Sequence, residues 1–163
     1  MAESENMDLS TTEKEVLVTR LINAPREKVF DAWVDPDKIV NWWGPRGFTN
    51  TNIEMEVKPG GVWRYTMHGP DGVDYPNKIV YTEVVEPERL AYDQMGEGEF
   101  DDISFRVLVT FEAEGEKTRV TMRSEFPTAE QLRRVVEEFG ALEGAKQNLE
   151  RLGEFTEVGS VIS

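Results

Sequence analysis

Residues 61–68 read GVWRYTMH, an alternation that sets Trp63, Tyr65 and Met67 on one side of an extended chain and Arg64, Thr66 and His68 on the other. Such a strand has one apolar and one wet face. The same period of two returns in residues 103–112, with Ile103, Phe105, Val107, Val109 and Phe111 inward, and in residues 118–126, with Val120, Met122 and Phe126 inward. Glu114-Gly115-Glu116 joins these two as a hairpin turn.

Moving outward, residues 13–22 (EKEVLVTRLI) predict a first strand that stops at Asn23-Ala24-Pro25. Weaker strands fit residues 51–57, 77–85 and 89–95. They are separated by Pro59-Gly60-Gly61, by His68-Gly69-Pro70-Asp71-Gly72 and by Glu86-Pro87-Glu88. The connections are too short for parallel crossovers, so about seven strands form a curved antiparallel meander.

Helical spacing interrupts this pattern in two places. Val29, Phe30 and Trp33 predict a short helix over residues 25–34; Asp35 as N-cap and Pro36 at the first helical position open a second, with Ile39, Trp42 and Trp43 on its apolar side and Gly44-Pro45 ending it. Near the C-terminus, Thr128 and Gln131 form a capping box before a helix of about 25 residues. Its stripe is Leu132, Val135, Val136, Phe139, Leu142, Leu149 and Leu152, with Lys146 on the same line. Gly140 and Gly144 each cost that helix about 1 kcal/mol relative to alanine. They mark either a mild kink or close packing, or else space for a cavity beside the helix.

The chain has 163 residues, enough for one α+β domain, placed at residues 13–155 between a disordered tail at 1–12 and a frayed one at 156–163. It has no cysteine, which removes disulfides, thiolate nucleophiles and cysteine-ligated metals. The net charge of −14 repels nucleic-acid phosphates and anionic lipid surfaces, and fits solubility or a basic protein partner. The opening MAESENMDLSTT lacks the features of a signal peptide, and no stretch is long and apolar enough for a membrane span. The expectation is a cytoplasmic protein with no membrane insertion.

Chemistry is narrowed by what the sequence holds. A single histidine, His68, cannot build a His-based metal site, and it reads as a solvated strand-end residue more readily than as a general base. Gly60-Gly61 and Gly96-Glu97-Gly98 fall between strands, so no phosphate loop is formed, and no serine stands in a nucleophile elbow. No metal, cofactor or nucleic acid is implied. What stands out is a set of aromatic, methionine and apolar residues whose inward faces converge: Trp63, Tyr65, Met67, Tyr81, Tyr92, Phe105, Val107, Met122, Phe139 and Leu142. Such a surface suits an apolar ligand with a few polar handles. Lys146 either snorkels to the rim or points inward, where a bound carboxylate or phenolate, or Asp93, would balance it.

The order strand, two short helices, six strands, long helix matches the helix-grip fold. Ala24-Pro25-Arg26-Glu27-Lys28-Val29-Phe30-Asp31-Ala32-Trp33, then Asp35-Pro36 and Asn41-Trp42-Trp43-Gly44-Pro45, resemble one branch of the START-like (Bet v-like, SRPBCC) superfamily, the family of homologues of the activator of heat-shock protein 90 ATPase. Pro59-Gly60-Gly61-Val62-Trp63-Arg64-Tyr65, Glu86-Pro87-Glu88-Arg89-Leu90 and Thr118-Arg119-Val120-Thr121-Met122 carry the same resemblance, which spans residues 13–155. It implies a sheet wrapped around the last helix with a hydrophobic cavity between. The family often has Gly-Trp where this chain has Gly144-Ala145, which implies an enlarged or reshaped pocket here.

Three functions follow as expectations, since a fold hosts many activities. The first is binding of a small hydrophobic or aromatic molecule in the cavity. The second is a cyclase, dehydratase or hydrolase using Lys146 with a pocket tyrosine or aspartate; the residues lean towards binding over catalysis. The third is a chaperone-associated interaction domain, marked by an exposed patch at Trp42 and Trp43; the structural alternative for that pair is to cap one open end of the sheet.

Overall fold

The computed structural model describes residues 7–12, 14–96 and 104–157. Its eight strands are β1 (Met7–Thr11), β2 (Glu15–Ile22), β3 (Thr49–Met55), β4 (Val62–His68), β5 (Asp74–Val85), β6 (Arg89–Gly96), β7 (Ser104–Glu114) and β8 (Lys117–Glu125). They form one antiparallel sheet in the order β1-β2-β8-β7-β6-β5-β4-β3. The helices are α1 (Arg26–Val34), α2 (Pro36–Ile39), α3 (Ala129–Phe139) and α4 (Ala141–Thr156). None is long and apolar enough to cross a membrane. The seven strands expected within residues 13–155 are present, and the helix-grip fold is the one the sequence predicts.

Two expectations need correction. Residues 7–11, read as part of a disordered tail, pair with β2 from Met7 opposite Arg20 to Thr11 opposite Val16. They occupy the N–H and C=O groups that β2 would otherwise leave open at the sheet edge. The expected single C-terminal helix is two: Gly140, at φ 61° and ψ 41°, ends α3 in the left-handed region, and its carbonyl accepts the Gly144 N–H at 2.9 Å as α4 begins. The residues expected outside 7–157, together with Ile103 and the 97–98 part of the loop before it, lie outside the described residues.

Local signals explain most other boundaries. Asp35 accepts the Asp37 N–H at 2.8 Å, capping α2 with Pro36 at its start. Thr128 accepts the Gln131 N–H at 3.1 Å to open α3. Register shifts at Asn52/Glu54 in β3 and Tyr81/Glu83 in β5 add the twist that lets the sheet curl. α4 lies across β2 and against α1, with Leu149 and Leu152 fully buried.

Tryptophans plug one end of the trough so formed. Trp33 of α1 meets Trp42 and Trp43 edge-on at 4.9 and 5.8 Å, Trp43 meets Trp63 at 5.2 Å, and Trp63 stacks on Tyr65 at 4.1 Å. Two of their N–H groups find partners, Trp42 donating to the Ala32 carbonyl at 3.0 Å and Trp63 to Asn52 Oδ1 at 2.9 Å, while the buried Trp43 N–H has no hydrogen-bond partner among the described residues. Beside it Tyr81 and Tyr92 pack edge-on at 6.2 Å, their buried hydroxyls without a hydrogen-bond partner among the described residues.

Burial pushes the Tyr65 phenol up to about 12, against the opposing bond from Gln94. Tyr81 and Tyr92 are pushed up by burial first and by neighbouring phenols second. In the unfolded chain these groups lose their protons near pH 10. The folded state keeps them, so the stability they contribute is whole below that pH and falls above it, the Tyr65 share being lost as pH rises through about 12. Alkaline titration is expected to ionise Tyr65, Tyr81 and Tyr92 only in the step that abolishes the circular dichroism. A reversible near-ultraviolet transition of all three near pH 10 in the folded protein would contradict this. A second check separates the two helical glycines. Gly140→Ala costs about 1 kcal/mol because its φ is positive. Gly144→Ala gains about 0.5–1 kcal/mol, since its Cβ would sit 3.5 Å from Pro45 Cγ in ordinary contact. Denaturant midpoints read both signs; a continuous helix would make both substitutions stabilising.

Candidate ligand-binding site

The tryptophan plug fills only one end of the trough. At the other end a cavity of about 440 Å³ opens between the sheet and the two C-terminal helices. The division runs along each strand. On β4, Trp63 belongs to the plug, Tyr65 forms the boundary and Met67 faces the cavity. On β6, Leu90 and Tyr92 are core and Gln94 and Met95 line the space; on β8, Val120 is core and Met122 and Ser124 line it. Phe105 and Phe126, stacked at 4.4 Å, close one side, and Val135 of α3 with Gly144, Ala145 and Asn148 of α4 form the helical wall.

The facing wall is the loop of residues 41–48, carrying Trp43, Gly44, Pro45 and Phe48, and α4 holds it by its backbone. Arg151 Nη1 donates to the carbonyls of Trp43, Gly44 and Pro45 at 3.2, 3.0 and 3.0 Å, and Nη2 donates to the Asn41 carbonyl at 3.2 Å. Asn148 Oδ1 accepts the Gly44 N–H at 2.8 Å, and Gln147 Oε1 accepts the Arg46 N–H at 3.0 Å. The Arg46 side chain returns to Glu154 at 2.6 Å and Glu150 at 3.6 Å, and Glu154 is thereby held below the usual carboxylate range. Gly44 is required in this loop: its φ is 92°, and a Cβ would stand 3.2 Å from Met67 Cε.

The polar groups that line the cavity among the described residues are neutral. Gln94 Nε2 donates to Tyr65 Oη at 3.1 Å, and the Trp43 N–H lies near enough to that oxygen to favour its ionised form without reaching hydrogen-bond geometry. Asn77 donates to the Tyr75 carbonyl at 2.9 Å. Ser124 and Asn148 are 7% and 5% exposed. Among the described residues, no Asp, Glu, Lys, Arg or His lines the cavity, and no three His, Asp or Glu side chains gather as a metal site.

Of the expected site residues, Tyr65, Met67, Phe105 and Met122 share this cavity. Trp63, Tyr81, Tyr92 and Val107 do not: they are buried one step deeper along their strands, where the plug and the neighbouring strands fill the trough. Leu142 packs half-buried at the edge of the core and Lys146 is partly exposed; neither lines the cavity. The side chain of Phe139 lies outside the described residues. Asp93 pairs with the exposed Arg106 at 3.3 Å and also lies off the cavity. Trp42 and Trp43 are buried at 0% and 4%, so the pair caps the trough and presents no exposed patch. The polar lining is absent from the expected set, although Asn77, Gln94 and Ser124 each sit two residues from an inward apolar neighbour, Ile79, Tyr92 and Met122 respectively.

His68, on the outer face, sits in a hydrogen-bonded row: Nδ1 to Asp74 Oδ1 at 2.7 Å and Nε2 to Thr51 Oγ1 at 2.7 Å. All three side chains are solvated and none lines the cavity, so the row ties strands β3, β4 and β5 together.

Residues 23–157 match the model of the family described as Activator of Hsp90 ATPase homolog 1-like protein. No curated protein matches. Among solved structures, the chain is similar to a protein from Arthrobacter aurescens, with 24% identity, 91% of this chain and 90% of that one covered and a TM-score of 0.85. A protein from Mycobacterium smegmatis shows 25% identity, with 90% and 93% covered and a TM-score of 0.80. An AHSA1 protein from Silicibacter pomeroyi shows 23% identity, with 85% and 94% covered and a TM-score of 0.67. These likenesses carry the fold, and the family model covers most of the chain: it belongs to the Activator of Hsp90 ATPase homolog 1-like family, within the START-like superfamily.

Proposed function

We propose that this protein binds a small hydrophobic or aromatic molecule in the cavity between the open end of the sheet and helices α3 and α4. The observation that carries the reading is the cavity itself: about 440 Å³, walled by aromatic and methionine side chains with a few neutral polar groups. Small-molecule sites have this character and run from about 300 to 1,000 Å³. Apolar surface removed from water supplies about 25 cal/mol per Å², and Met67, Met95 and Met122 can repack around ligands of different outline.

The catalytic and chaperone-associated readings lack the features that would favour them. Lys146 and Asp93 do not converge on the cavity, and the two tryptophans are buried. Ala145 is the position that most directly reports on binding, because it lines the cavity from α4 with a side chain of a single methyl group. Titration with the apolar fluorophore N-phenyl-1-naphthylamine is expected to saturate on the wild type. Ala145→Trp fills the space and weakens that binding by at least about tenfold, with a melting temperature equal to or above that of the wild type because the indole occupies a cavity instead of a packed core. A wild type that leaves the fluorophore dark, or an Ala145→Trp variant that binds it equally well, would remove the reading.

A further inference from the structure

Resting on that reading, we infer that the ligand is an uncharged molecule bearing an acceptor oxygen, a ketone or similar carbonyl, received by the Tyr65 hydroxyl, and that free carboxylic acids are rejected. A carboxylate moved from water into an apolar site needs a counter-charge or several donors to offset lost hydration. None of the described lining residues is charged at neutral pH, and Lys146, the cation that could have served, lies off the cavity. The chain's net charge of −14 adds a field that disfavours anions further.

A neutral oxygen, in contrast, meets prepared donors. Tyr65 Oη already accepts from Gln94 at 3.1 Å, which leaves its own proton to give. Burial keeps that phenol protonated up to about 12, so it remains a donor throughout the physiological range. Asn148 has its oxygen occupied by the Gly44 N–H at 2.8 Å, leaving its amide N–H groups as a second donor pair on the opposite wall. Stacking on Trp63 at 4.1 Å fixes the Tyr65 ring, so this donor is positioned before any ligand arrives.

Three ligands of one skeleton test this: 4-acetylbiphenyl, biphenyl-4-carboxylate and 4-ethylbiphenyl. They are titrated at about pH 8, where the acid is fully ionised, with affinity read from amide chemical shifts of cavity residues. The ketone is expected to bind at least about tenfold tighter than the carboxylate and tighter than the ethyl compound. The gap over the carboxylate persists in about 1 M salt, where the field of the net charge is screened. In Tyr65→Phe the ketone falls to the affinity of the ethyl compound, whose own affinity is unchanged. A carboxylate that binds as tightly as the ketone, or a gap that closes in salt, overturns the inference while leaving the cavity a ligand site. A ketone no better than the ethyl compound overturns the role given to Tyr65. Cavity shifts with none of the three would sink the ligand-binding reading and the inference with it. Should Tyr65→Phe fail to fold, the three wild-type affinities still decide the matter.

Discussion

Arg151 and the carbonyls it collects hold the loop that forms one wall of the cavity. After α2 the chain runs through residues 41–45 without regular structure, and its backbone oxygens need donors if the segment is to lie against the core. One guanidinium, projecting from α4, supplies them to Asn41, Trp43, Gly44 and Pro45 at 3.0–3.2 Å. Burial and the nearby Arg46 press the pKa of Arg151 down, but a guanidinium stays charged, and a fixed fork of donors suits several acceptors at once. Trp43 is thereby set between the plug on one side and the cavity on the other.

From that constraint the division of the trough follows. With the 41–48 loop fastened to α4, indoles fill the end beside α1 and α2, while the opposite end is faced from α4 by Gly144 and Ala145, which are too small to fill it. The break at Gly140 separates α4, tied to the loop and to β2, from α3, which contributes Val135 to the wall. The fastened loop, the methionines and the hydrogen-bonded Tyr65–Gln94 pair line a cavity whose described polar groups are neutral, which fits the proposed recognition by shape and hydrogen bonding.

Much of this was legible in the sequence. The alternation in GVWRYTMH gave β4 and its inward face, the Asp35-Pro36 signal gave α2, and Thr128 with Gln131 gave the start of α3. The site was legible only in part. Alternation tells which face a residue takes but not how far along the strand the core is filled; so Tyr65 and Met67 are lining residues while Trp63 and Tyr81, on the same faces, are core. Lys146 followed a helical stripe extrapolated through Gly140, and a left-handed residue breaks the phase of such a stripe. The Arg151 clamp joins residues more than a hundred positions apart and has no local signature. β1 is legible only once β2 is known to be a sheet edge.

The most direct test of this account is amide hydrogen exchange in Arg151→Met, measured beside affinity for the apolar fluorophore. If the guanidinium holds the cavity wall, the Gly44 and Arg46 amides, protected by Asn148 and Gln147, exchange at least about tenfold faster in the variant. Fluorophore binding weakens with them, while the β7 and β8 amides keep their protection. Unchanged exchange at Gly44 and Arg46 together with undiminished affinity would contradict the central role given to Arg151.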